Sequence, residues 1–214
     1  INMQRVLNES LNTGAVFVMQ QLGKELFADY MKKFGLGEKT GIDLPNEIEG
    51  NLSNLSSSRE IEFATASFGQ GIAVTPIGIT MALASLANGG VLMQPYIVER
   101  IVMPGIPDQI VKPSVRRRVL TPETSEKITR MLATVVDDAL LGGTVKLEHY
   151  SIAAKTGTAQ VPCKHKKGYC EGEFLHAFFG YAPAFDAKFL IFLYIENPQG
   201  VRYASHSLTY PFME

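Results

Sequence analysis

A lysine and a glycine stand where a covered strand would normally have neither. The run Ser151 to Val161, SIAAKTGTAQV, otherwise reads as a buried strand, with Lys155-Thr156-Gly157-Thr158 at its centre. Glycine weakens a strand interior and packs nothing, so Gly157 marks a place where a ligand or another backbone passes close to the chain. Lys155 and the hydroxyls of Thr156 and Thr158 would form a small cationic patch of hydrogen-bond donors, suited to a carboxylate. The alternative is an edge strand with a solvated Lys155 and a bulge at Gly157. Far upstream, Ser10 and Asn12 lie two apart in Asn8-Glu9-Ser10-Leu11-Asn12-Thr13. In a non-helical turn they would offer a hydroxyl and an amide to one cleft. Either could instead cap the helix that follows, because Ser and Asn are preferred N-cap residues.

Two cysteines, Cys163 and Cys170, frame the polar segment CKHKKGYC just after that strand. If the segment is a hairpin loop in an oxidising compartment, a disulfide across its base is the first reading and free thiols the second. Zinc comes last. Cys163, His165 and Cys170 do not make a recognised ligand spacing, and a fourth ligand such as His176 would have to be recruited. The expectation is therefore no metal and no cofactor.

The 214 residues are 46% hydrophobic and 19% charged, which is ordinary for a chain able to bury a substantial core. Lys+Arg 20 against Asp+Glu 21 leaves a net charge of -1, so no basic field argues for nucleic acid and no polybasic tract for anionic lipid. The longest apolar helix candidate, Pro76 to Ala87, is too short to span a bilayer, and residues 1–20 lack the regions of a signal peptide. The chain starts at Ile1 and reaches Pro211-Phe212-Met213-Glu214 without an expected closing element. It reads as a piece of a longer protein whose anchor lies elsewhere.

Positioning these residues falls to helices first and strands last. Apolar residues recur at helical spacing through residues 8–34, and Gly35-Leu36-Gly37 closes that helical stretch. Residues 37–52 read as an ordered loop turning at Gly41 and Pro45, and 51–60 as polar and exposed. Thr75 as cap, Pro76 in the first turn and Gly89 past the end punctuate a small, apolar, buried helix. Residues 91–120 read as short strands and loops, with Arg116-Arg117-Arg118 as a solvated face. A helix beginning at Thr121-Pro122-Glu123 carries an apolar stripe of Ile128, Met131, Leu132, Val135 and Val136, ending near Gly142-Gly143. Strand candidates at Ser151 to Val161, His176 to Ala182 and Lys188 to Glu196 have the pattern of an antiparallel meander. The fold class is therefore α+β, an antiparallel sheet covered by helices.

At this point the chain resembles the transpeptidase domain of class B penicillin-binding proteins. The resemblance is carried, in order, by Ser10-Leu11-Asn12, FGLGEKTGIDLPNEIEG, SFGQGIAVTPIGITMALASLANGG, KTGTAQ and HAFFGYAPA, and covers nearly the whole chain. The serine signature of penicillin-binding proteins and β-lactamases is S-x-x-K, S-D-N and K-T-G. The second element is S-L-N here. The resemblance implies a penicillin-binding transpeptidase and serine β-lactamase-like fold, incomplete at both ends. Residues 1–214 would be the C-terminal part of a single domain: 1–90 mainly helical with S-x-N, 91–150 strands, loops and a helix, and 151–214 the sheet with KTG.

It further implies that Ser10 helps relay a proton to or from the nucleophile and the leaving amine, while Asn12 hydrogen-bonds the substrate amide. Lys155 and Thr156 would hold the terminal carboxylate of a D-alanyl-D-alanine stem peptide or a β-lactam. Gly157 would let the substrate lie against the strand, and the Thr158 backbone N–H would supply half of an oxyanion hole. Implied partners are peptidoglycan stem peptides, β-lactams, a glycosyltransferase and other cell-wall synthesis proteins. The location would be the outer face of the bacterial cytoplasmic membrane, through an N-terminal anchor missing from this chain.

One departure decides what the chain can do. No serine in residues 1–214 has lysine three positions later; Ser114-Val115-Arg116-Arg117 has arginine there, and arginine stays protonated and cannot act as a base. The nucleophile is expected upstream, and this chain alone is expected to be inactive. Smaller departures are Ala154, where the family often has Gly, and Ala204-Ser205-His206-Ser207, where it often has a Gly-rich turn. The reading is a peptidoglycan D,D-transpeptidase, with HAFFGYAPA and IENPQG closer to division-type than to elongation-type enzymes. A non-catalytic penicillin-recognising sensor or scaffold is the alternative, and a serine β-lactamase the third.

Overall fold

The computed structural model describes residues 1–163 and 165–214. Lys164, inside the polar segment between the cysteines, lies outside the described residues. Three helices open the chain: α1 (Met3–Asn8), α2 (Asn12–Leu22) and α3 (Lys24–Lys33). A 3₁₀ turn (Ser53–Ser56), α4 (Glu60–Ala66) and α5 (Pro76–Ala87) follow. Short strands β1 (Val91–Gln94), β2 (Arg100–Met103), β3 (Ile106–Ile110) and β4 (Ser114–Arg118) precede α6 (Pro122–Thr134). The last third holds β5 (Ala153–Pro162), β6 (Tyr169–Ala182), β7 (Phe189–Glu196) and two short helices, α7 (Ala204–Ser207) and α8 (Thr209–Met213). The class is α+β, as the change of period predicts.

The punctuated helices form where their signals fall. Thr75 accepts a hydrogen bond from the Gly78 N–H at 3.1 Å with Pro76 in the first turn, and Thr121 does the same for Thr124 at 3.2 Å with Pro122. Past its regular part, α6 runs on as a π turn at Val135–Ala139 and a 3₁₀ turn at Leu140–Gly143, which carry the buried stripe through Val136 and Leu140 to the glycines.

The sheet is antiparallel in the order β5-β6-β7, which leaves β5 at an edge. Residues opposite one another share a face, and faces alternate along a strand. Ala154 opposite Gly180, Thr156 opposite Phe178 and Thr158 opposite His176 therefore face α7 and α8, while Ala153 opposite Tyr181 and Lys155 opposite Phe179 face the helices. Phe178 is fully buried with Val136, Leu140, Ile152 and Leu208, and stacks on Phe212 at 4.5 Å. On the other face Tyr181 packs with Leu132 and Ala153, its hydroxyl 2.7 Å from that of Thr129. Burial raises the Tyr181 phenol, although the Thr129 hydroxyl works against that shift.

Four expectations need correction. Neither Ser10 nor Asn12 caps α2: Leu11 occupies the cap position without a side-chain bond, and Asn12 is already helical. Residues 51–60 are not wholly exposed, because Leu55 is buried with Met19, Phe63 and Ala66. The arginines 116–118 are not simply a solvated face: Arg116 donates to the loop carbonyls of Lys39 and Thr40, and the other two serve carbonyls left over at helix ends. Arg117 donates to the carbonyls of Lys32 and Lys33 at 2.8 Å, at the C-terminus of α3, and Arg118 donates to the Gly89 carbonyl at 2.6 Å beyond α5. Residues 211–213 are not without an element: they belong to α8, whose Phe212 and Met213 pack against the Phe178 cluster.

Candidate active site

Ser10 lies in the elbow between α1 and α2, and its backbone is left-handed at φ 52°. For a residue with a side chain that conformation costs roughly 1–2 kcal/mol. Local bonds enforce it: the Ser10 N–H donates to the Leu7 carbonyl at 3.2 Å and the Leu11 N–H to the Val6 carbonyl at 3.0 Å. The elbow is tight because Gly14 lies directly against Val6, where a Cβ would overlap the valine methyls. One outcome of this turn is the direction of the Ser10 hydroxyl.

That hydroxyl meets Lys155. The Lys155 ammonium donates to Ser10 Oγ at 2.8 Å and to the Thr156 carbonyl at 3.0 Å. Two segments 145 residues apart are thereby joined. Both acceptors are neutral, and the ammonium carries three hydrogens. Burial pushes its pKa down to about 8, because desolvation disfavours the charged form.

Around this pair lies a cleft of about 550 Å³, lined by Ser10, Asn12, Lys155, Thr156 and Thr158 from the expected set. Its size suits a small ligand or a peptide end. Gly157 sits between two lining residues and is exposed. A Cβ placed there would meet only the Ala177 Cβ, at 3.8 Å, an ordinary contact. Internal packing therefore does not demand glycine at this position. The Thr158 hydroxyl is engaged, accepting from the Ala204 N–H at 3.0 Å. On the open side of β5, alternate backbone N–H and C=O groups have no strand partner.

The opposite wall was missed from sequence. It comes from Arg202 through His206, with Tyr203, Ser205 and His206 facing the cleft. Its only trace in the sequence was the departure of Ala204-Ser205-His206-Ser207 from a Gly-rich turn. Cys163 and Cys170 lie further along the β5–β6 hairpin, joined by a disulfide with Cα atoms 5.0 Å apart. The same hairpin touches the helical part, where the Gly71 N–H donates to the Tyr169 hydroxyl at 3.0 Å. Among the described residues, no group of three or more His, Cys, Asp or Glu side chains is arranged to hold a metal ion, and no helix is long and apolar enough to cross a membrane.

Comparison with known proteins places the whole chain in one group. The family described as the penicillin binding protein transpeptidase domain matches residues 1–214. Stage V sporulation protein D of Bacillus subtilis is 39% identical over 198 residues, 91% of this chain and 30% of that protein. The peptidoglycan D,D-transpeptidase FtsI homolog of Mesostigma viride is 32% identical, over 92% of this chain and 36% of that one. The chain thus spans about a third of the length of these relatives. Among solved structures, penicillin-binding protein 3 of Mycobacterium tuberculosis in complex with aztreonam superimposes with a TM-score of 0.85 at 30% identity, covering 92% of this chain and 45% of that one.

Proposed function

Because the chain belongs to the penicillin-binding protein transpeptidase family, we propose that residues 1–214 are the C-terminal part of a single transpeptidase domain in a longer peptidoglycan D,D-transpeptidase. The observation that carries this reading is the 2.8 Å contact between Lys155 Nζ and Ser10 Oγ inside an open cleft. It unites the S-x-N and K-T-G elements around one point.

The reaction is acyl transfer. A serine outside residues 1–214 attacks the carbonyl of the penultimate D-alanine, expels the terminal D-alanine and forms a serine ester, which an amine of a second stem peptide then resolves. Lys155, with Thr156, holds the terminal carboxylate of the donor through a charge-assisted hydrogen bond. Ser10, already bonded to Lys155, passes a proton between the nucleophile and the leaving amine, and Asn12 holds the donor amide. Gly157 presents a bare strand edge to the substrate, and the Thr158 N–H donates to the developing oxyanion. A β-lactam enters the same cleft as the stem peptide. The longer protein works with a glycosyltransferase outside the cytoplasmic membrane, held there by an anchor beyond these residues, in division rather than elongation.

A second reading, a non-catalytic penicillin-recognising scaffold, keeps the same cleft and the Lys155–Ser10 contact without turnover. Labelling by a fluorescent penicillin decides between them, using this chain and a form extended at its N-terminus. Labelling of the extended form alone, lost when the serine of a newly included S-x-x-K is replaced, is the expected result. A folded extended form that takes no label would replace the transpeptidase with the scaffold.

A further inference from the structure

We propose that His176 is a positioning residue that fixes the far wall of the cleft, and this inference rests on the transpeptidase reading of that cleft. His176 is fully buried on β6, directly opposite Thr158 on β5. A buried imidazole requires partners for both ring nitrogens. Both partners belong to one short segment: Nε2 lies 3.1 Å from the Arg202 carbonyl and Nδ1 lies 2.8 Å from the Ser207 hydroxyl. A carbonyl can only accept, so Nε2 carries a hydrogen and donates it. Nδ1 is then free to accept from Ser207.

One ring therefore grips the segment at both ends. Its middle is held by the neighbouring side chain across the ladder, since the Ala204 N–H donates to the Thr158 hydroxyl at 3.0 Å. These three bonds fasten Arg202–Ser207 to the β5–β6 ladder from beneath. The groups above them, Tyr203, Ser205 and His206, line the cleft that holds Ser10 and Lys155. The same anchoring sets the side chain of Thr158, whose backbone forms the edge against which substrate is proposed to lie. An apolar residue at position 176 would leave the Arg202 carbonyl without its buried partner and the Ser207 hydroxyl with only the longer 3.3 Å bond to the Ala204 carbonyl. The wall would shift relative to Lys155, and displacements of about 1 Å are enough to cost catalytic rate.

The test uses the longer protein that takes penicillin label, with acylation rate per folded molecule measured beside hydrogen exchange at the Ala204 amide. His176→Ala is expected to slow acylation by about tenfold, equivalent to about 1.4 kcal/mol, and to accelerate Ala204 exchange. Asn places an amide near the position of Nδ1 and Gln near that of Nε2, so at least one of His176→Asn and His176→Gln should recover most of the rate. A folded His176→Ala that acylates within about twofold of the parent, with Ala204 exchange unchanged, overturns the proposal. A loss explained wholly by a smaller folded fraction overturns it too. Should His176→Ala fail to fold, Ser207→Ala removes one anchor, and an unchanged rate and exchange in that variant count against the proposal. A parent protein that takes no label sinks the transpeptidase reading instead, and Ala204 exchange still decides whether His176 anchors the wall.

Discussion

Two glycines in one sheet obey opposite rules. On β6, a Cβ at Gly180 would run into the Phe212 ring and lie 2.9 Å from the Ala154 Cβ. The stacked pair of Phe178 and Phe212 fills the space above it. On β5, a Cβ at Gly157 would touch only the Ala177 Cβ at 3.8 Å. Neighbours dictate the first glycine, and nothing among the described residues dictates the second. The contrast extends to the residues around each. Phe178 and Tyr181 satisfy packing and hydrogen bonding together, whereas Lys155 carries a desolvated charge and Ser10 a left-handed backbone. Where a sequence breaks local rules without an internal gain, the gain lies in function. The inner part of the sheet is shaped by its own packing, and the β5 edge, on the proposed function, by the substrate that would lie there.

The largest expected effect tests the packed side. Gly180→Ala should destabilise the protein by about 1–3 kcal/mol, the usual cost of overpacking a filled core, because Phe212 cannot yield without losing its stack on Phe178. Chemical denaturation measures this, and a change below about 0.5 kcal/mol would erase the distinction between the two glycines. On the edge, Lys155→Ala in the longer protein should slow acylation by penicillin by more than about tenfold while leaving the fold intact, as expected from losing a charge-assisted hydrogen bond. Unchanged acylation would remove Lys155 from carboxylate binding. Gly157→Ala sharpens the comparison further. Its stability should change by less than about 1 kcal/mol, since a strand favours Ala slightly over Gly, yet acylation should fall severalfold because a methyl now stands between strand and substrate. Equal acylation by the two forms would mean that the open space at Gly157 serves nothing.

The sequence is readable where signals are local and silent where partners are distant. Thr75-Pro76 and Thr121-Pro122 announce helix starts without reference to the rest of the chain, and both helices begin there. Apolar runs bounded by turn residues likewise expose the β5 and β7 strands. The first half of β6, Tyr169 to Leu175, escaped because its Cys170-Glu171-Gly172-Glu173 run has no strand pattern; pairing with β5 beside the disulfide makes it a strand. The arginines 116–118 looked solvated because the helix-end and loop carbonyls they serve lie 29 to 85 residues upstream. In the cleft, Ser10, Asn12, Lys155, Thr156 and Thr158 were nameable from type and spacing, and the fold brings them together. Tyr203, Ser205 and His206 were not, because the segment that carries them is bonded to His176 and Thr158, distant in sequence. No periodicity in residues 202–207 encodes that anchoring.

The smallest effect expected, and the most discriminating, is the pH dependence of the edge. Burial brings Lys155 from 10.5 down to about 8, so the ammonium that would hold a carboxylate is present below that pH and is lost as pH rises through it. Acylation by penicillin in the longer protein should therefore decline above pH about 8. Stability moves in the opposite sense. Between about 8 and 10.5 the unfolded chain binds more protons at this lysine than the folded one, so its contribution to stability rises with pH over that interval. A falling rate beside a constant or rising unfolding free energy thus separates a lost anchor from lost structure. Lys155→Arg adds the control, because a guanidinium stays charged throughout and should abolish the decline whatever rate it supports. A parent rate that instead climbs through pH 8 would assign Lys155 to taking a proton from Ser10 rather than to gripping the carboxylate, and the 2.8 Å contact between them would then be a step in proton transfer.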